Sequence, residues 1–133
     1  MSINSRTKGK VGEREAIQIM RDYLGEDYEF TRNLVQTRSG GHDIIGPDNF
    51  PFAIEVKRAK TPLIHQWWKQ AKDQADRVGS IPALWYRLDR KPWRVIVPLY
   101  AINRSLTLHD GWEWTAEISP EAFCMIVREG VRP

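Results

Sequence analysis

The chain has 133 residues, 41% hydrophobic and 28% charged, a balance that fits one globular domain around one core and excludes a disordered chain. Its one cysteine, Cys124, excludes an internal disulfide, and no apolar run approaches membrane-spanning length. The start, MSINSRTKGKVGERE, is polar and basic without a signal-like apolar core, so the expectation is a soluble cytoplasmic chain.

The net charge of +3 says little alone, but its distribution says more. Basic residues crowd at Arg6, Lys8, Lys10 and Arg14, at Arg32 and Arg38, at Lys57, Arg58 and Lys60, and at Arg87, Arg90, Lys91 and Arg94. Acidic residues Asp110, Glu113, Glu117 and Glu121 gather near the C-terminus. One such cluster is usually a solvated face; several of them flanking carboxylates in apolar company shift the balance toward a polyanionic substrate.

In chain order, Lys8 to Leu24 reads as a helix, with Ile17, Met20 and Leu24 at helical spacing and Gly25 as its stop. Tyr28 to Leu34 reads as a strand, followed by the loop Thr37–Gly41. His42 to Gly46 is a short strand, Pro47-Asp48-Asn49 a turn, and Phe52 to Arg58 a strand in which Phe52, Ile54 and Val56 alternate with Ala53, Glu55 and Lys57. A second helix is expected from a cap at Thr61, with Pro62 in its first turn, to about Val78, ending at Gly79-Ser80. Ile81 to Leu88 and Trp93 to Pro98 form two further strands. In the tail, Asp110-Gly111 between Leu106–His109 and Trp112–Thr115 signals a hairpin with Trp112 and Trp114 on one face. A last helix follows from a cap at Ser119, with Pro120 and Glu121 in its first turn, to about Arg128. The order implies one α/β domain with a mixed central sheet flanked by helices.

Three places carry carboxylates in apolar surroundings. Glu13 shares a helical face with Ile17, Met20 and Leu24; on spacing alone, a role at the helix dipole and a role in a site are equally good accounts. Glu15 points elsewhere and reads as an ordinary surface residue. Asp43 sits between Gly40-Gly41 and Ile44-Ile45, as either a turn-capping aspartate or a buried carboxylate that needs compensation. Glu55 and Lys57 project from one strand face, which a solvated face or an intrastrand ion pair would also explain. A tight hairpin would bring them beside Asp43. Two hard-oxygen carboxylates and an amine suit phosphodiester hydrolysis with Mg²⁺, which holds few protein ligands and leaves room for water and phosphate.

Gly-Gly-His-Asp43, a spacer and Ile-Glu55-Val-Lys57 resemble the PD-(D/E)XK nuclease signature, with His-Asp where Pro-Asp is often found. The opening Lys8-Gly9-Lys10-Val11-Gly12-Glu13-Arg14-Glu15 is similar to that of archaeal-type Hjc-like Holliday junction resolvases, in which a Lys-Gly segment leads to a helix bearing the first active-site glutamate. The resemblance spans roughly Lys8 to Pro98, with residues 99–133 as a C-terminal extension. It implies a restriction-endonuclease-like fold, with Glu13, Asp43, Glu55 and Lys57 as the catalytic set. Asp43 and Glu55 would bind Mg²⁺ or Mn²⁺ with the Val56 carbonyl, Glu13 would sit in the metal's inner or outer shell, and Lys57 would position the attacking water.

Arg32 falls where these resolvases carry an arginine before the loop. Lys8, Lys10, Arg14, Arg32, Arg38, Ser39, Arg58 and Lys60 are the expected DNA contacts. The implied activity is junction resolution by a homodimer in an archaeal, bacterial or virus-infected cell. Alternatives are a phage or repair nuclease acting on ends, flaps or nicked duplex, and a DNA-binding module without catalysis. Gln66, Gln70 and Gln74 read as a solvated stripe, although a glutamine here approaches the site in related nucleases. His42, His65 and His109 receive no role. Trp67 and Trp68 are expected as core or dimer contacts, with the Trp112-Trp114 face as another dimer patch.

Overall fold

Apolar spacing along the first helix is realised as a buried stripe: in the computed structural model, Ala16, Ile17, Met20 and Leu24 of helix α1 (Ser5–Leu24) are all buried. The structure describes residues 5–34 and 41–130. Arg38 and Ser39 lie outside these described residues.

The helix ends at Gly25, whose φ of 83° is open to glycine and strained for other residues. Strands β1 (Thr31–Arg32), β2 (Ile44–Ile45) and β3 (Phe52–Ala59) pair antiparallel in succession, β1 with β2 and β2 with β3. Helix α2 (Ile64–Val78) then crosses to β4 (Ile81–Leu88), which lies parallel to β3 with Glu55 opposite Leu84. Strand β5 (Arg94–Pro98) and strand β6 (Thr115–Ile118) complete a mixed sheet in sequence order, β1-β2-β3-β4-β5-β6. Helix α3 (Pro120–Met125) runs on into a π-helical turn, Ile126–Gly130.

Strand alternation divides the sheet into two packed faces. On one, Phe52, Ile54, Val56, Trp85, Val95 and Val97 pack with the α1 stripe and with Phe123 of α3. On the other, Leu84, Tyr86 and Ile96 meet Trp67, Trp68 and Ala71 of α2. Helices thus flank a mixed sheet, as expected. Strand β6 also ties the C-terminal extension to that sheet, with Val95 opposite Ile118 and Pro98 opposite Thr115.

Several local expectations are corrected. There is no Asp110-Gly111 hairpin. Gly111 has an extended backbone at φ −77°, Trp112–Trp114 is a 3₁₀ turn, and the following residues pair with β5 instead. Trp112 and Trp114 do not act as one face: Trp112 packs on His65 at 4.3 Å and Trp114 on His109 at 4.2 Å. Helix α2 starts at Ile64, after the non-helical Leu63, so Thr61 does not cap it and Pro62 stands before its first turn. Trp67 and Trp68 are 7% and 4% exposed, so they are core residues and supply no dimer patch. The first two strands and Arg94–Pro98 are shorter than expected. By contrast, Ser119 caps α3 as expected, its hydroxyl accepting from the Ala122 amide at 3.1 Å.

Candidate active site

The site forms where β2 stops. The Asp43 amide still donates to the Ile54 carbonyl at 2.8 Å. The preceding chain then leaves β3, and the Val56 amide donates to Asp43 Oδ2 at 2.7 Å rather than to a backbone carbonyl. Asp43 is thereby fixed, buried, against the middle of β3. Asn33 holds the departing chain from the other side: its amide donates to the Asp43 carbonyl at 2.9 Å and its side chain to the His42 carbonyl at 2.9 Å.

Glu55 lies one strand away, only 2% exposed, and Lys57 Nζ stands 3.5 Å from its Oε1. Helix α2 supplies two more donors. Gln70 Nε2 donates to Glu55 Oε1 at 3.2 Å. Gln74, with its amide nitrogen inward, donates to Glu55 Oε2 and to the Gly41 carbonyl, the latter at 3.2 Å. The solvated account of the glutamine stripe therefore fails for Gln70 and Gln74; only Gln66 stays with solvent. Fourfold spacing had shown that the three share a face, but not that Glu55 lies opposite it.

Glu13 reaches the same cleft from α1. The helix begins at Ser5, so Glu13 sits beyond the first turn, where the dipole effect fades. The helix-dipole account is thus set aside. Glu13 is 5% exposed, its Oε1 accepts from Arg32 Nε at 2.8 Å, and its charge raises the proton affinity of Asp43. Glu13, Asp43, Glu55, Val56, Lys57 and Arg58 line one open cleft of about 510 Å³, together with Gln70 and Gln74.

Burial pushes the pKa of both Asp43 and Glu55 above the carboxylate range. For Asp43, the Val56 amide opposes the shift and Glu13 adds to it; for Glu55, the Asp43 charge adds and Lys57 opposes. One ammonium is too little to keep both carboxyls ionised at this depth, so the pair holds on to its protons. The donor set consists of hard oxygens. Among the described residues no three His, Cys, Asp or Glu side chains form a metal cage. Hard oxygens such as those of Asp43 and Glu55 fit an ion of the Mg²⁺ kind, which takes one or two carboxylates and fills its shell with water and phosphate.

The expected DNA contacts are distributed unevenly. Lys10, Arg14 and Lys60 are exposed, whereas Lys8 pairs with Asp89 at 3.2 Å and Arg32 with Glu13. Arg58 pairs with Glu15 at 3.3 Å, so Glu15 is not the ordinary surface residue its spacing suggested. It also accepts from Arg87 Nη1 at 3.0 Å and from Trp93 Nε1 at 2.9 Å. His42 borders the site through its backbone, and the buried face of its ring leaves Nδ1 without a partner among the described residues. No helix among the described residues is long and apolar enough to cross a membrane.

Comparison with known proteins adds to this geometry. A family model described as "Phage putative PDDEXK endonuclease" matches residues 4–116, running past β5 into the C-terminal extension. Protein D14 of Escherichia phage T5 is 27% identical over 114 residues, 71% of this chain and 71% of that protein. Among solved structures, Hjc of Archaeoglobus fulgidus, a Holliday junction resolvase from an archaeal hyperthermophile, is 21% identical over 80% of this chain and 85% of its own, with a TM-score of 0.45.

Proposed function

The chain belongs to the phage PD-(D/E)XK endonuclease family, and we propose that it is a divalent-metal-dependent DNA endonuclease whose favoured substrate is a four-way junction. The observation that supports this most is the burial of Asp43 and Glu55 side by side in an open cleft, with Lys57 as their near cation. Uncompensated carboxylates at this depth are costly, and a bound cation removes the cost.

Asp43, Glu55 and the Val56 carbonyl would hold the ion, with Mg²⁺ as the natural choice and Mn²⁺ as a substitute. When bound, such an ion polarises the phosphoryl oxygen and makes a coordinated water more acidic. The chain's own groups do the rest. Val56 N–H fixes the Asp43 carboxylate, while Gln70 and Gln74 fix both oxygens of Glu55. Lys57 would orient the attacking water or stabilise charge on the phosphoryl group. Glu13, already engaged by Arg32, suits an outer-shell role through water. Lys8, Lys10, Arg14, Arg32, Arg58 and Lys60 would meet DNA phosphates, as would Arg38 and Ser39 of the loop.

The junction reading rests on the Lys8–Glu15 opening and on symmetry. A four-way junction has approximate two-fold symmetry, and paired cuts need two sites at a fixed separation; a homodimer supplies both. The phage family and the T5 relative support the cytoplasm of an infected cell as the setting. The test is cleavage of matched junction, flap, nicked and linear DNAs with Mg²⁺, combined with light scattering. A dimer that nicks opposing strands of the junction in preference to linear duplex is expected. A monomer that degrades linear ends equally well would replace the resolvase with an end- or flap-acting nuclease. Binding without cleavage of any DNA would leave a binding module.

A further inference from the structure

Glu15 lies two residues beyond Glu13 and so on a different face of α1. It gathers an unusual set of donors. Its Oε1 is 3.3 Å from Arg58 Nη1, while its Oε2 accepts from Arg87 Nη1 at 3.0 Å and from the Trp93 indole at 2.9 Å. Arg58 and Arg87 are register partners on the parallel strands β3 and β4. One carboxylate thus binds two guanidiniums, and the cluster keeps a net positive charge.

Arg58 connects this cluster to the cleft. It follows Lys57 in the chain and lines the same opening as Asp43 and Glu55. Its stem lies against α1 at Gly12, where an added Cβ would stand 3.6 Å from both Cβ and Cδ of Arg58. Glu15 takes Nη1, and no other partner meets the guanidinium among the described residues. A free arginine samples many rotamers; one packed along a helix and held by a carboxylate has a fixed head whose other donors suit a phosphate fork.

We propose that Glu15 is a positioning residue that holds Arg58 at the rim of the cleft, where its remaining donors engage a phosphate of the bound strand beside the one being cut. The proposal rests on the DNA endonuclease reading. It opposes simple electrostatics on a point of sign. Neutralising a carboxylate on a basic rim raises net charge and should tighten DNA binding. Loss of a fixed arginine should weaken binding, because pre-organisation is lost.

The experiment uses the full chain and a labelled four-way junction with matched duplex. Affinity is measured across a salt series in the Asp43→Asn background, and single-turnover cleavage with Mg²⁺ in the otherwise unsubstituted protein. Arg58→Ala is expected to weaken binding by about tenfold and to lower the salt slope by about one. Glu15→Gln is expected to weaken binding or slow cleavage by about threefold or more, with no further loss when added to Arg58→Ala. Arg58→Lys provides a control independent of folding at Glu15: it should restore the salt slope but not the cleavage rate.

Tighter binding by Glu15→Gln, or full additivity with Arg58→Ala, would overturn the proposal. So would unchanged affinity and slope in Arg58→Ala with only a lower melting temperature, which would make the cluster a brace between α1 and the sheet. If the Asp43→Asn parent binds neither DNA, the endonuclease reading fails first and this role falls with it.

Discussion

Strand β3 carries two charged clusters of opposite character. At Glu55 and Lys57, two buried carboxylates share one nearby ammonium, and burial keeps their proton affinity high. At Arg58, two guanidiniums and an indole share the single carboxylate of Glu15, which is 30% exposed. The first cluster holds more carboxyl groups than ammonium groups, and the second more guanidiniums than carboxylates. A phosphodiester strand carrying a divalent ion, as proposed above, would satisfy both at once.

The comparison can be broken first on its acidic side. Asp43→Asn should abolish cleavage, by at least about 10³-fold, because a metal ion contributes several kcal/mol to the transition state. The fold should persist, since an Asn oxygen can still accept from the Val56 amide. DNA binding should hold or tighten, because a carboxylate that repels phosphate is gone. Single-turnover cleavage with Mg²⁺ checks this on any DNA that the parent cuts.

Lys57→Met keeps the stem and deletes the charge, so it separates packing from chemistry. A loss of roughly 10²- to 10³-fold in rate is expected, the scale of losing one transition-state donor, while metal affinity persists. Collapse of calorimetric metal binding along with activity would make Lys57 structural. Glu13→Gln should slow cleavage by about 10- to 100-fold at nearly unchanged melting temperature, as befits an outer-shell group. An active variant with lower stability would return Glu13 to a purely structural role.

The smallest effect concerns pH. Folding raises the pKa of Asp43 and Glu55 above the unfolded values near 3.8 and 4.5, so the folded state binds protons more tightly. Their contribution to stability is fully present below those values and is lost as pH rises through the shifted pKa values. The melting temperature of the metal-free protein should therefore lose this contribution as pH rises from the carboxylate range toward neutrality. Added Mg²⁺ should flatten the slope, and Asp43→Asn should reduce it.

The acidic cluster was legible in the sequence because it is built from short-range order. Strand alternation places Glu55 and Lys57 together and a turn returns Asp43 beside them; helical spacing set Glu13 on the apolar face of α1, but only the resemblance assigned it to the site. The basic cluster was not. Glu15 meets Arg87 and Trp93 from 72 and 78 residues away, and no local period encodes that meeting. Gln70 and Gln74 were visible as a stripe but not as partners of Glu55, since a helical face does not reveal what packs against it. The tail failed differently: Asp110-Gly111 is a genuine local turn signal, overridden by the pairing of Thr115–Ile118 with β5.

Calorimetric titration of Mg²⁺ into the full chain near neutral pH, repeated in two buffers of different ionisation enthalpy, tests the central claim most directly. The account predicts saturable binding with proton release, because the ion displaces protons that burial retains on the Asp43–Glu55 pair, and loss of both signals in Asp43→Asn. Binding that survives Asp43→Asn unchanged, or that releases no proton, would contradict it.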